Sequence, residues 1–122
     1  MIQMKLSVRP VPSPRPRVYR DTTIMPKKYK EHKQFIALKA RNFKAFDNVP
    51  LAVKISCFFK PSKTASKNKY SMPRGDVDNY AKTYLDALEG VLYENDTQVE
   101  ELTVIKKYAT ADAVFIEIKE LC

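Results

Sequence analysis

Apolar and polar residues alternate near both ends of the chain, and between those stretches they cluster at helical spacing. Ile2, Met4, Leu6 and Val8 alternate with Gln3, Lys5, Ser7 and Arg9, the period of two expected of a strand with one buried face. Leu51 to Lys60 repeats the pattern, with Val53, Ile55, Cys57 and Phe59 on one side and Lys54, Ser56 and Lys60 on the other. Residues 98–108 and 113–120 read as two further strands around the turn Tyr108-Ala-Thr-Ala-Asp112, with Val114, Ile116 and Ile118 alternating with Phe115, Glu117 and Lys119. Residues 27–46 predict a helix after Pro26, a residue suited to a first helical turn. Phe35, Ile36, Leu38, Phe43 and Phe46 supply its apolar positions. Residues 78–89 predict a second helix, with Ala81, Tyr84, Leu85 and Leu88 on one face. Asp76 or Asp78 suits its N-cap, and Gly90 stands where a C-terminal glycine belongs. The order β-α-β-α-β-β implies a small α+β domain: a mixed sheet, two helices over it and a C-terminal hairpin, as one unit spanning residues 1–122.

Two connections change this picture. The alternating prolines of Arg9-Pro-Val-Pro-Ser-Pro-Arg-Pro-Arg17 forbid a helix and favour a stiff extended segment. That predicts displayed arginines, Arg15 and Arg17 among them. Residues 61–74 form a polar loop containing Lys63, Lys67, Lys69 and Arg74, and it leads directly to Asp76.

Composition sets the class. With 122 residues, 44% of them hydrophobic, the chain can bury a core. No apolar run approaches the roughly 18 residues of a membrane span, and the N-terminus lacks the apolar stretch of a signal peptide, so a cytoplasmic location is expected. Cys57 and Cys122 are too far apart in sequence to suggest a zinc site or a disulfide framework. His32 is the only histidine and has no evident triad partner, so it reads as structural or superficial. Tyr70, Tyr80, Tyr84 and Tyr93 read as core or rim residues before platforms for unpaired bases. The net charge of +8 is unevenly placed. Residues 1–74 hold 18 of the 22 Lys and Arg against 3 acids, a net +15, whereas residues 75–122 hold 4 Lys against 11 acids, a net −7. A basic front half implies a polyanionic partner, most simply nucleic acid. Most lysines of the first helix read as a solvated face.

The candidate chemistry lies in Arg74-Gly-Asp-Val-Asp-Asn-Tyr-Ala-Lys82 and in Asp96. Two carboxylates at i and i+2 before a helix can converge on a hard cation such as Mg²⁺, which takes oxygen ligands. Asp96 follows the helix. It can meet Asp76 only if residues 90–95 fold back or if the site is shared between subunits. Lys82, one turn beyond Asp78, either reaches a phosphate or forms an ordinary i, i+4 ion pair with Asp78 or Asp86. An EF-hand is excluded by Tyr80 and Ala81 at positions that need an oxygen ligand and a glycine. No phosphate-binding glycine loop, zinc signature or Ser/His/Asp arrangement is present. On residues alone, a metal-dependent enzyme acting on nucleic acid and a non-catalytic DNA-binding module with capping aspartates both stand.

Asp76-Val-Asp78-Asn79-(x)₂-Lys82-(x)₃-Asp86-Ala87-Leu88, followed by Asn95-Asp96-x-Gln98-Val99, resembles the core of the RusA-type Holliday junction resolvases. The N-terminal strand, the Pro/Arg segment and the terminal strand pair fit in order. The resemblance implies a homodimeric endodeoxyribonuclease that cuts four-way DNA junctions in pairs with Mg²⁺ or Mn²⁺, in recombination and repair. It implies catalytic and metal-holding roles for Asp76, Asp78 and Asp96, an essential Lys82, and DNA contacts from Arg15, Arg17, Lys63, Lys67, Lys69 and Arg74. Other branched DNA remains an alternative substrate. Gly75 is a departure, because the family pattern has a basic residue or proline before the first aspartate.

Overall fold

A computed structural model of the chain describes residues 1–14, 17–19, 22–24, 26–62 and 72–121. Its order is β1 (Ile2–Leu6), β2 (Arg17–Tyr19), β3 (Thr22–Ile24), α1 (Lys27–Ala40), β4 (Leu51–Phe59), α2 (Val77–Leu88), β5 (Val99–Tyr108) and β6 (Ala113–Glu120). The main sheet has the order β1-β6-β4-β5. β1 and β4 each run antiparallel to β6, and β4 runs parallel to β5. The fold is α+β with a mixed sheet and two helices, as the pattern predicts.

The differences are instructive. β2 and β3 pair as a short antiparallel ribbon just beyond the proline segment, where the sequence pattern predicts no strand. α1 ends at Ala40 rather than at residue 46, because Asn42 and Phe43 turn back on Lys39 and Ala40 with short-range hydrogen bonds of 3.3 and 3.0 Å. Phe43 and Phe46, counted among its apolar positions from spacing, therefore lie beyond the helix. Tyr29, Ile36 and Ala40 are the buried residues of α1, whereas Leu38 is exposed, and the Phe46 amide donates to the Leu92 carbonyl. The two terminal strands are joined by a tight connection at residues 109–112, and β4 lies between them in the sheet. Ala109 donates to the Phe59 carbonyl, and the Asp112 carboxylate accepts from the Lys60 amide, so the connection closes over the end of β4.

Alternation on each strand selects one face. Ile2, Met4 and Leu6 stand opposite Ile118, Ile116 and Val114, which stand opposite Val53, Ile55 and Cys57. These nine are all buried and form the floor on which Ile36, Tyr84 and Leu88 pack. Burial pushes the Cys57 thiol up to about 12, an inert packed thiol. Cys122 lies outside the described residues. No helix among the described residues is long and apolar enough to cross a membrane.

Tyr84, fully buried at the middle of α2, ties three segments together. Its hydroxyl accepts from the Val11 amide at 3.2 Å and lies 2.8 Å from His32 Nε2 on α1. The Ser13 amide donates to the Asn79 carbonyl. The described part of the proline segment is therefore docked on α2 rather than displayed. Arg9 is engaged as well, paired with Asp112 at 3.0 Å and set over the Phe59 ring.

Burial lowers the pKa of His32 below its ordinary 6.5. Neutral Nε2 can accept the Tyr84 proton, whereas a protonated ring would donate to that oxygen beside Val11 and leave the buried phenolic proton without its acceptor. A lowered pKa means that the unfolded chain binds the proton more readily, so stability is lost as the pH falls. The loss should begin as the pH drops through about 6.5 and be complete below the folded value. Denaturant titrations between pH 7.5 and 5 should show this slope, and His32→Gln should flatten it.

Candidate active site

Parallel pairing of β4 and β5 requires a crossover, and α2 supplies it. α2 therefore runs back along the sheet against the direction of both strands. Its first turn lies at the end where β4 and β5 finish, and its last turn at the end where they begin. This one constraint places Asp76, Asp78 and Lys82 at one end of α2 and Asp96 at the other.

Asp76 occupies the N-cap of α2 with an extended backbone, and Asp78 lies in the first turn. The Asp76 carbonyl accepts from the amides of Asn79 and Tyr80, but its carboxylate makes no capping bond. Both carboxylates are exposed, and neither forms an ion pair or hydrogen bond with another described residue. Capping therefore does not account for them. Lys82 is exposed one turn on, with no ion pair to Asp78 or Asp86. The ordinary helix-surface pair considered from spacing does not form.

The segment entering Asp76 is held closely by side chains. Tyr108 donates to the Met72 carbonyl at 3.0 Å, and Tyr80 to the Arg74 carbonyl at 2.8 Å. Lys106 Nζ donates to the carbonyls of both Pro73 and Gly75, at 2.8 and 2.7 Å. Four consecutive carbonyls thus have side-chain partners. Gly75 has φ +92, and a Cβ there would lie 2.8 Å from the buried Tyr80 ring. Only glycine fits there without strain, because the chain turns at positive φ against that ring. Burial first, then the Cys57 thiol, raises the Tyr80 pKa, so the phenol keeps its donor proton.

Asp96 lies elsewhere. It begins a single 3-10 turn, Asp96–Gln98, immediately before β5, at the far end of α2. A helix of 12 residues spans about 18 Å. The turn has its own frame. Asn95 Oδ1 accepts from the Thr97 amide, Gln98 Oε1 accepts from the amides of Glu94 and Asn95, and Gln98 Nε2 donates to the carbonyls of Asp47 and Val49. Burial, then Asp96, Glu89 and Asp86, raise the Tyr93 hydroxyl, which donates to the Leu85 carbonyl. Asp96 thus shares its surroundings with the acids at the C-terminal end of α2. Among the described residues, no three His, Cys, Asp or Glu side chains gather where a metal ion could be held.

Arg74 is exposed beside Asp76. Arg15, Lys63, Lys67, Lys69 and Tyr70 lie outside the described residues, as does the side chain of Arg17, whose backbone belongs to β2. Tyr80, Tyr84 and Tyr93 are buried in the core. Sequence reasoning missed what Lys106, Tyr108 and Gln98 hold in place. The signal for Lys106 was a cation at an inward position of the alternation in β5, in register with Cys57.

The sequence profile of the family described as "Endodeoxyribonuclease RusA" matches residues 7–119. An uncharacterized protein, YqaN of Bacillus subtilis (strain 168), is 29% identical over 109 residues, which cover 79% of this chain and 77% of the relative.

Substituting Gly75→Ala forces a Cβ into the Tyr80 ring at a positive φ. A side chain held in the left-handed region costs about 1–2 kcal/mol, and a drop in stability of at least that size is expected from denaturant unfolding.

Proposed function

The chain belongs to the endodeoxyribonuclease RusA family, and on that footing we propose that it resolves four-way DNA junctions by divalent-metal-dependent hydrolysis in recombination and repair. The observation that carries this reading is the pair Asp76 and Asp78: exposed, without described partners, and standing at the end of a backbone segment whose carbonyls are all engaged. Carboxylates left unpaired in a chain of net charge +8 suit oxygen ligation of a hard cation. Asp76 and Asp78 would hold Mg²⁺ or Mn²⁺, which would supply charge stabilisation at the phosphate and an activated water. Lys82, free to extend from the next turn, would contact the scissile phosphate or charge developing on it. Arg74, with Arg15, Arg17, Lys63, Lys67 and Lys69, would bind flanking phosphates, giving affinity and salt dependence with little sequence information.

Asp96 joins this site most simply across a two-fold dimer. The crossover keeps it at the far end of α2 within one chain, so the proposed arrangement takes Asp76 and Asp78 from one protomer and Asp96 from its partner. A four-way junction has near two-fold symmetry, and a two-fold dimer presents two such sites to it.

Labelled four-way junction, linear duplex and flap DNA, each incubated with Mg²⁺ or with EDTA, test the reading. Paired cuts on the junction with Mg²⁺ alone are expected, and binding without cleavage at every metal concentration would overturn the enzyme reading. Flap cutting equal to junction cutting would shift the substrate to branched DNA generally. Asp78→Asn should keep junction binding and abolish cleavage.

Subunit mixing tests the shared site. Asp76→Asn and Asp96→Asn homodimers should each be inactive. After subunit exchange, a mixed dimer retains one site with all its carboxylates if Asp96 acts across the interface, and it should nick the junction. A site built within one chain predicts no recovery.

A further inference from the structure

Lys106 is not among the residues to which the family resemblance assigns a role, yet its ammonium is held by two backbone carbonyls of the segment that enters Asp76. β5 is an edge strand of the sheet. Its positions 102, 104, 106 and 108 stand in register with Val53, Ile55, Cys57 and Phe59, the buried face of β4. Lys106 therefore points towards the helical layer, where an apolar residue would ordinarily be placed. Its Nζ meets two carbonyls, those of Pro73 at 2.8 Å and Gly75 at 2.7 Å.

We infer that Lys106 is a positioning residue for the Asp76 and Asp78 carboxylates, holding the Pro73 and Gly75 carbonyls so that α2 begins at a fixed place and angle. The inference rests on the reading of those two aspartates as the metal-holding pair. An inward lysine on an edge strand has a plainer use, which is to discourage pairing with another strand. That use needs no partner inside the fold, and Lys106 has two, the carbonyls of Pro73 and Gly75, either side of Arg74 in the segment that enters Asp76. The neighbouring contacts point the same way. Tyr108, the next inward residue of β5, holds the Met72 carbonyl, and Tyr80 holds that of Arg74. β5 and α2 thus grip the entry segment from two sides, with Lys106 contributing two of the four bonds. Hydrogen bonds from a charged donor are stronger than neutral ones. Misplacing a reacting group by about 1 Å costs on the order of 100-fold in rate.

The test compares unsubstituted protein, Lys106→Met, Lys106→Arg and the exposed control Lys107→Met. Thermal unfolding and hydrogen exchange of the segment 74–80 are read on each, together with kcat, junction KM and the Mg²⁺ concentration giving half the maximal rate. Lys106→Met keeps the aliphatic stem and loses both bonds. Exchange across 74–80 should quicken while the central strands stay protected. On the scale of such misplacements kcat should fall about 10- to 100-fold, with junction KM unchanged and the Mg²⁺ midpoint raised. Lys106→Arg should recover part of kcat, and Lys107→Met should match unsubstituted protein. Unchanged exchange at 74–80 would overturn the inference. So would a loss of kcat that tracks a general loss of protection across the sheet with the Mg²⁺ midpoint unmoved. If the unsubstituted protein cuts no DNA, the nuclease reading falls by itself, and the exchange of 74–80 still decides whether Lys106 holds the segment.

Discussion

Parallel pairing of β4 with β5 is the constraint on which the rest of this structure depends. Antiparallel neighbours could have been joined by a tight turn, but parallel ones need a crossover, and here α2 is the α-helix described within it. The direction of α2 is then fixed, and with it the separation of the aspartates. Asp76 and Asp78 follow from the end of β4, and Asp96 precedes the start of β5. β6, entered by a tight connection over the end of β4, seals the other side of that strand. β4 is consequently the most enclosed strand, with Leu51, Val53, Ile55, Cys57 and Phe59 all buried.

The two ends of α2 are treated differently from the side chains they carry. At each end the backbone is heavily bonded while the carboxylates are left alone. Four carbonyls before Asp76 are taken by Tyr80, Lys106 and Tyr108. Around Asp96, Gln98 alone makes four hydrogen bonds and is buried with all of them satisfied. A typical hydrogen bond contributes about 1 kcal/mol net, so each frame is a modest term in stability. Its larger effect is to reduce the ways in which the chain can present a carboxylate.

The four strands of the main sheet and both helices were legible because burial on one face leaves a period in the sequence. The end of α1 was not. Phe43 and Phe46 sit at spacings that suit a helix, but the Phe46 amide is used by the Leu92 carbonyl, a contact 46 positions away that no local pattern contains. The place of β4 between the two last strands was hidden for the same reason, since periodicity gives faces and not neighbours. At the site, the Asp76-Val-Asp78 pair could be read from charge against its basic setting. The distance of Asp96 could be read only as a choice between folding back and sharing, and topology was needed to favour one. Gly75 looked like a departure from the resembled pattern. Its reason is steric, and it lies in the Tyr80 ring five residues later.

Because each half of the candidate site has its own frame, neither depends on the other for its shape. Within one chain, this makes a fold-back of Asp96 onto Asp76 costly, since it would break the Gln98 bonds to residues 47 and 49 and unwind the turn that precedes β5. Across two chains, nothing need be broken. In the proposed dimer two preformed surfaces would meet, and little side-chain or loop freedom would be lost on association, which is the condition under which modest interfaces still bind well. Electrostatics adds a sign. Bringing Asp96 of one protomer towards Asp76 and Asp78 of the other concentrates negative charge, which opposes association until a cation is shared between them. On this reading, divalent metal strengthens the assembly as well as the chemistry, and the basic front half of the chain (net +15 over residues 1–74) draws DNA to a dimer whose acidic centre the metal has neutralised.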